Sequence, residues 1–249
     1  MFQVIPIPAF RDNYIWLLRR EEHAVVVDPG DAAPVLAYLD AHGLALDAIL
    51  VTHHHNDHIG GIDALLARHA AATVYASAHE HYQFKHQAVR EGDEITLRGL
   101  QSTFQVMETP GHTLGHIVYY GANHLFCGDT LFSCGCGRLF DGTCQQLFQS
   151  LNRIANLPGP TLVYCTHEYT LQNCRFALSV DPSNLALQQR YQQVLSLDAQ
   201  HRPTLPSTIA QELATNPFLR CDTEVILRHT NTRSAEAAFC ALRYERNSF

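Results

Sequence analysis

Short apolar runs in this chain keep ending on the same two kinds of residue. Residues 24–27 stop at Asp28, and 48–51 run into Thr52-His53-His54-His55-Asn56-Asp57-His58. Residues 104–107 lead to Thr109-Pro110-Gly111-His112, 125–127 to Gly128-Asp129, and 162–165 to Thr166-His167. Runs of this length and composition read as buried strands. One terminal histidine is ordinarily a satisfied core residue. Imidazoles and carboxylates gathered at several strand ends have no such explanation. They point to a metal-binding face, because folds of this kind carry their sites on the loops beyond strand ends.

The loop at 52–58 is the densest of these. It is internal, between a strand pattern and Gly60-Gly61, which opens a helical pattern, so it is not a tag. In extended backbone, residues two apart point the same way, so His53 and His55 converge on one ion. Asp57 and His58, past the bend, face a different point. A catalytic zinc takes about three protein ligands and a structural one four. A single loop that already offers four donors therefore predicts two ions.

Elsewhere the chain reads as strands at 2–7, 14–18, 73–76, 94–97, 103–107 and 117–120, with helices at 31–41, 61–70 and 143–155. From about Leu171 it turns helix-rich. Asp181-Pro182-Ser183-Asn184 stops one helix and caps another through about Ala199, and 207–214 and 234–243 read as further short helices. The strand-rich part predicts a sandwich of two mixed sheets.

With 249 residues, 46% hydrophobic and 16% charged, the chain suits one large domain with a smaller appendage. The formal net charge of −7, without a basic run, excludes generic nucleic-acid binding, which draws its affinity from phosphate neutralisation. No stretch is apolar for long enough to span a bilayer. The start, Met1-Phe2-Gln3-Val4-Ile5-Pro6, has neither the basic nor the long apolar segment of a secretory signal. The eight cysteines are then expected as reduced thiols, and the chain as a cytoplasmic monomer. Cys134 and Cys136 lack a second pair at matching spacing and read as loop residues. Among the 17 basic residues only Lys85 is a lysine; arginine is the better fork for carboxylates.

Ligands in the order H-x-H-x-D-H, then His, Asp and His, resemble the metallo-β-lactamase superfamily. Further stretches resemble one of its families more closely. These are Pro110-Gly111-His112-Thr113 with Gly115-His116, Phe126-Cys127-Gly128-Asp129-Thr130-Leu131-Phe132, Gly135-Cys136-Gly137-Arg138-Leu139-Phe140 and His167-Glu168-Tyr169-Thr170. Together with Ile15-Trp16, Asp28-Pro29-Gly30 and Asn216-Pro217-Phe218-Leu219-Arg220, they are similar, nearly end to end, to the glyoxalase II or hydroxyacylglutathione hydrolase family of bacterial type. The resemblance implies an α+β fold, a four-layer αββα sandwich over residues 1–168, with a helical substrate-binding domain at 169–249.

It further implies two divalent ions per chain, zinc with iron or manganese as alternatives. His53, His55 and His112 would hold one and Asp57, His58 and His167 the other, with Asp129 bridging. Asp57 and Asp129 would be the catalytic carboxylates, and water activated between the ions the nucleophile. Asp28 and His116 would stand behind the ligands and orient them. The implied substrate is a glutathione thioester, S-D-lactoylglutathione, cleaved to D-lactate and glutathione in the second step of methylglyoxal degradation. Arg138, Phe140, Tyr169 and Arg220 would contact it. Animal members carry a lysine-type residue at the place of Arg138, a tyrosine near Phe140, and a further basic residue just after Arg220, where Cys221-Asp222-Thr223 supplies none. A nuclease of the same fold would want a basic arm. A mono-iron dioxygenase would lack the second donor set that His58 and His167 provide.

Overall fold

Glycine and proline turns break the first half of the chain into short strands, and the computed structural model, which describes residues 1–249, shows how they pair. The chain divides into two compact units, one of Met1–Glu108 with Leu114–Gly128, the other of Thr109–Thr113 with Asp129–Phe249.

The first unit opens with three antiparallel strands, β1 (Gln3–Ala9), β2 (Asn13–Arg20) and β3 (His23–Val27). From β3 the sheet continues in parallel, which requires crossovers. Helix α1 (Ala32–His42) carries the chain to β4 (Ala45–Leu50). Asp31 caps its start by accepting from Ala33 N, and Gly43, at φ 61°, ends it in the left-handed conformation. Helices α2 (Asn56–Ile59) and α3 (Ile62–Arg68) then lead to β5 (Thr73–Ser77), which pairs with the short β6 (Gln87–Val89). Period-two alternation sorts the strand side chains. Ile15, Leu17, Ala24, Val26, Ile49, Val51 and Val74 pack with Val35 and Leu39 of α1 and Ile62 and Leu65 of α3. The alternate residues Trp16, Leu18, Val25, Val27 and Leu50 are buried as well.

A second, antiparallel sheet of this unit has the order β10-β9-β8-β7, from β7 (Glu94–Leu97), β8 (Ser102–Glu108), β9 (Ile117–Gly121) and β10 (His124–Gly128). Tyr119 of β9 ties it to the first sheet, donating its hydroxyl to the carbonyls of Val51 (2.8 Å) and Tyr75 (3.1 Å). Burial, and after it the charge of Asp28, push this phenol well above its usual pKa, so it stays a proton donor.

The second unit begins its regular structure with a two-residue hairpin, β11 (Leu131–Phe132) and β12 (Gly135–Cys136). Helix α4 (Cys144–Ala155) starts in a reciprocal capping box between Thr143 and Gln146. Strand β13 (Leu162–Cys165), α5 (Thr170–Val180), α6 (Leu185–Ala199), β14 (Ser207–Thr208), α7 (Ile209–Thr215), α8 (Glu224–His229) and α9 (Ala235–Arg246) follow, with β13 and β14 antiparallel. A chain of rings, Phe148–Phe239–Phe218–Phe176, links α4, α9, the turn at 217–219 and α5.

Cys136 lies in β12, while Cys134 occupies the turn at φ 55°. Two cysteines depart from the expected reduced state: Cys144, the first residue of α4, is joined to Cys240 of α9 by a disulfide. The helices lie side by side and bring the two Cα atoms to 5.6 Å, within the range a disulfide spans. The other six cysteines are free and buried.

Candidate metal centre

In the first unit the donors gather where β3 and β4 end. Asp28 follows β3 with φ 52°, a left-handed turn that swings its carboxylate toward the 52–58 loop. Its Oδ1 accepts from Thr52 N and its Oδ2 from Thr52 Oγ1, both at 2.8 Å. With its proton committed to Asp28, the Thr52 hydroxyl can only accept from His53 Nδ1, 3.1 Å away. That fixes the tautomer and leaves the His53 lone pair on Nε2, which faces His55 Nδ1 at 3.0 Å. Asp28 Oδ2 also lies 3.0 Å from His58 Nδ1, so His58 presents Nε2, 3.6 Å from Asp57 Oδ2. Asp57 is steadied by the Asn13 amide, which donates to the same oxygen at 3.1 Å. Gly30 is required here, because a Cβ on it would lie 1.9 Å from the Asp57 carbonyl oxygen. His116 stacks on His53 with centroids 4.9 Å apart. The remaining histidine of the tract, His54, turns outward to Glu80.

The second unit supplies its own three donors. The Pro110-Gly111 turn delivers His112, whose Nδ1 donates to the carbonyl of Arg138 at 2.7 Å, so its Nε2 carries the lone pair. Asp129 follows β10 and His167 follows β13. One oxygen, Asp129 Oδ2, lies 3.5 Å from His112 Nε2 and 3.4 Å from His167 Nε2. Tyr169 stacks flat on the His167 imidazole, 4.7 Å between centroids and 4° between planes, and Phe132 meets both rings edge-on. Every donor in the two sets is an imidazole nitrogen or a carboxylate oxygen, and none is a thiolate. Such a set fits hard to borderline divalent ions such as zinc, iron or manganese.

Beside His167 the second unit holds a pocket of about 220 Å³ lined by Phe132, Arg138, Tyr169, Asn173, Arg243 and Arg246, with Cys136 and Asn247. Arg243 is buried and spends its guanidinium on the fold. Its Nη1 donates to the carbonyls of Cys136 and Gly137, just before Arg138, and its Nη2 to Asn247. Arg246 is half-buried, and burial, followed by the neighbouring Arg243, pushes it below the ordinary arginine pKa. With Arg243 engaged, Arg246 and Arg138 are the guanidiniums that make this polar pocket a place for an anion.

Residues 9–167 match the family model described as the metallo-beta-lactamase superfamily, and residues 168–249 that of the hydroxyacylglutathione hydrolase C-terminus. The hydroxyacylglutathione hydrolase of Methylobacillus flagellatus is 51% identical over 251 residues, covering all of both chains. That of Aeromonas hydrophila is 53% identical over 227 residues, 91% of this chain and 89% of the relative. The chain belongs to the hydroxyacylglutathione hydrolase family. The α+β sandwich of the metallo-β-lactamase superfamily, with a helical C-terminal region, is the fold that goes with this membership. Among solved structures, ETHE1 from Myxococcus xanthus is similar at a TM-score of 0.67 and 28% identity, over 100% of this chain and 99% of that one. TTHA1623 in a di-iron-bound form is similar at a TM-score of 0.64 and 26% identity, over 87% and 100%. The superfamily fold and the His/Asp donor sets together support the binding of divalent metal ions.

Against this family background the residues singled out from the sequence are placed unevenly. His53, His55, Asp57, His58, Asp28 and His116 converge within the first unit, and His112, Asp129, His167, Arg138 and Tyr169 within the second. Phe140 is largely exposed and meets His112 edge-on at 5.1 Å. Arg220 does not line the pocket; its Nη1 is paired with the buried Asp181 at 2.8 Å. The pocket's own cations from the C-terminal helix, Arg243 and Arg246, escaped the sequence reading. The signal that could have found them is three-residue spacing at the end of an amphipathic helix, which puts both on one face.

Proposed function

We propose that this chain hydrolyses the thioester of hydroxyacylglutathiones, S-D-lactoylglutathione among them, releasing the hydroxy acid and glutathione. The observation that carries the proposal lies within the second unit, where the donors His167 and Asp129 are held beside a cationic pocket lined by Arg138, Tyr169 and Arg246. In this reading His53, His55 and His112 would hold one divalent ion, and Asp57, His58 and His167 a second, with Asp129 as a further carboxylate donor. When bound, a pair of such ions polarises the thioester carbonyl and makes a water acidic enough to attack at neutral pH.

The chain's own residues do the rest. Asp28, through Thr52, holds the His53 tautomer and orients His58, and the Arg138 carbonyl does the same for His112. Asp57, braced by Asn13, offers a carboxylate to the water's proton. Arg246 and Arg138 take the glutathione carboxylates, while the Tyr169 hydroxyl and the Asn173 and Asn247 amides suit its peptide groups. Arg243 holds the loop from which Arg138 projects. The role first expected of Arg220 passes to Arg246 in this reading. As water adds to the carbonyl carbon the C–S bond breaks, and the thiol stays with the gripped glutathione.

The test is turnover of S-D-lactoylglutathione, followed by loss of thioester absorbance, with elemental analysis of the same sample. Hydrolysis with two ions per chain is expected. Full activity with a single ion would overturn the two-ion assignment, and no hydrolysis by a chain loaded with zinc, iron or manganese would overturn the function.

A further inference from the structure

The disulfide between Cys144 and Cys240 sits where opening it has a consequence for binding. Cys240 belongs to α9, the helix that ends in Arg243 and Arg246, and Cys144 is the first residue of α4. The two sulfurs are not equivalent. Cys240 is half-buried, whereas Cys144 is almost wholly enclosed. An incoming thiolate therefore reaches Cys240 first. The sulfur that must leave, Cys144, lies directly after the N-cap Thr143 of a 12-residue helix. There the helix's unpaired N–H groups and positive end stabilise a departing thiolate. The remaining free cysteines are buried. Among the cysteines this pair alone combines an approachable sulfur with a stabilised leaving group.

Opening the bond would not melt α9. Phe239 stays packed against Phe148, and Arg243 keeps its bonds to the carbonyls of Cys136 and Gly137. What is lost is the covalent brace to α4, one turn before the pocket arginines. Arg246 has weaker holds, a 3.3 Å bond to Asn173 and the faces of Phe176 and Phe249 at 5.8 and 6.0 Å, and the brace adds to these in fixing its position.

We propose that the Cys144–Cys240 bond is an exchange site for glutathione-type thiols, and that its state sets how firmly α9 presents Arg246 to the pocket. The proposal rests on the hydrolase reading in one respect: that reaction releases the very thiol the site would take. The thiolate of one glutathione attacks Cys240 Sγ. The S–S bond breaks with its electron pair on Cys144 Sγ, and a mixed disulfide forms on Cys240. A second glutathione thiolate attacks the glutathione sulfur of that mixed disulfide, freeing Cys240 and leaving as glutathione disulfide. Two thiols are oxidised, one protein disulfide is reduced, and the two thiol protons pass to the cysteines. Disulfides exposed to a reducing pool are commonly of this transient, sensing kind. Accumulating product would then loosen the grip on the next substrate.

The experiment uses the full wild-type chain. Alkylation without reductant, read by intact mass, should label none of the Cys144–Cys240 pair. Incubation with glutathione should add one glutathione mass on the Cys240 peptide and then yield two new alkylatable thiols. After opening with a phosphine and desalting, calorimetry with S-methylglutathione should show Kd raised about two- to tenfold, the effect of leaving one arginine side chain unordered. KM for the thioester should rise alike, with kcat within about twofold. The Cys144→Ser/Cys240→Ser double variant should show the weaker binding under both conditions. Labelling of Cys144 and Cys240 before any reductant, an adduct on other cysteines only, or an unchanged Kd after opening would each overturn the proposal. A chain whose Kd responds but which hydrolyses no glutathione thioester would overturn the function and leave the exchange site standing.

Discussion

Single hydrogen bonds at the edge of each donor set decide which nitrogen of a histidine is available. The Thr52 hydroxyl and the Arg138 carbonyl each consume an Nδ1 proton, and both leave Nε2 for a ligand. The two arginines of the binding question differ in the same concrete way. Arg220 already has a carboxylate in Asp181, and its side chain is only 21% exposed. Arg246 has a neutral amide and a pocket. Arg246→Ala should raise KM for a glutathione thioester about ten- to hundredfold with kcat little changed, since a charge-assisted contact is worth about 1.5–3 kcal/mol. Arg220→Ala should leave KM near the wild-type value and lower unfolding stability by about 1–3 kcal/mol, because it strands the buried Asp181. Steady-state kinetics with urea unfolding on both variants separates the roles; a large KM change in Arg220→Ala alone would reverse them.

At the level of elements, the hairpin β11–β12 is too short to hold itself. It is fixed by buried polar groups from the helices. Glu212 of α7 accepts from Cys134 N at 2.8 Å and from Asn216, which also donates to the carbonyls of Phe132 and Gly135. Arg190 of α6 reaches Ser133 Oγ and the Thr204 carbonyl, and Thr204 in turn bonds Glu168, between His167 and Tyr169. Burial raises the Glu212 pKa above its ordinary value despite these donors. The folded chain then binds the proton more tightly than the unfolded one. This group's contribution therefore falls as pH rises from the unfolded carboxyl value, about 4.3, through the raised folded one. Glu212→Gln keeps an acceptor oxygen and loses the titration. Its stability relative to wild type should improve between pH 4 and pH 7, measured by urea unfolding at each pH. A difference flat across that range would mean Glu212 is ionised in the fold without penalty.

For the whole molecule, charge is distributed against the average. A chain of net charge −7 concentrates Arg138, Arg243 and Arg246 around one pocket, which gives an anionic substrate a local reason to bind. No helix is long and apolar enough to cross a membrane. If the proposed donors share ions, metal binding stabilises the folded chain by mass action, about 2.7 kcal/mol at a free metal concentration one hundred times Kd. Calorimetric melting should show Tm rising with free zinc and falling on chelation, and His167→Ala should blunt the response. A Tm indifferent to metal and chelator would mean these residues do not hold an ion in the folded state.

The sequence by itself determined the strand-rich first part, because period-two runs ending in turn residues need only local sterics and burial to form. It determined the chemistry of the donors too, since imidazole and carboxylate at strand ends carry their ligand character in any fold. Family membership was legible for the same reason, through contiguous motifs such as Gly135-Cys136-Gly137-Arg138. The short strands β6, β11, β12 and β14 were not legible, since two or three residues hold no period and are set by their partners. Only the tertiary structure decided the fate of groups whose partners lie far along the chain. Asp181 claims Arg220 across 39 positions, Cys144 meets Cys240 across 96, and Cys136 meets Arg243 across 107. An arginine's charge is written in the sequence, but which carboxylate or carbonyl consumes it depends on helix packing, and that same packing left Arg246 beside the pocket.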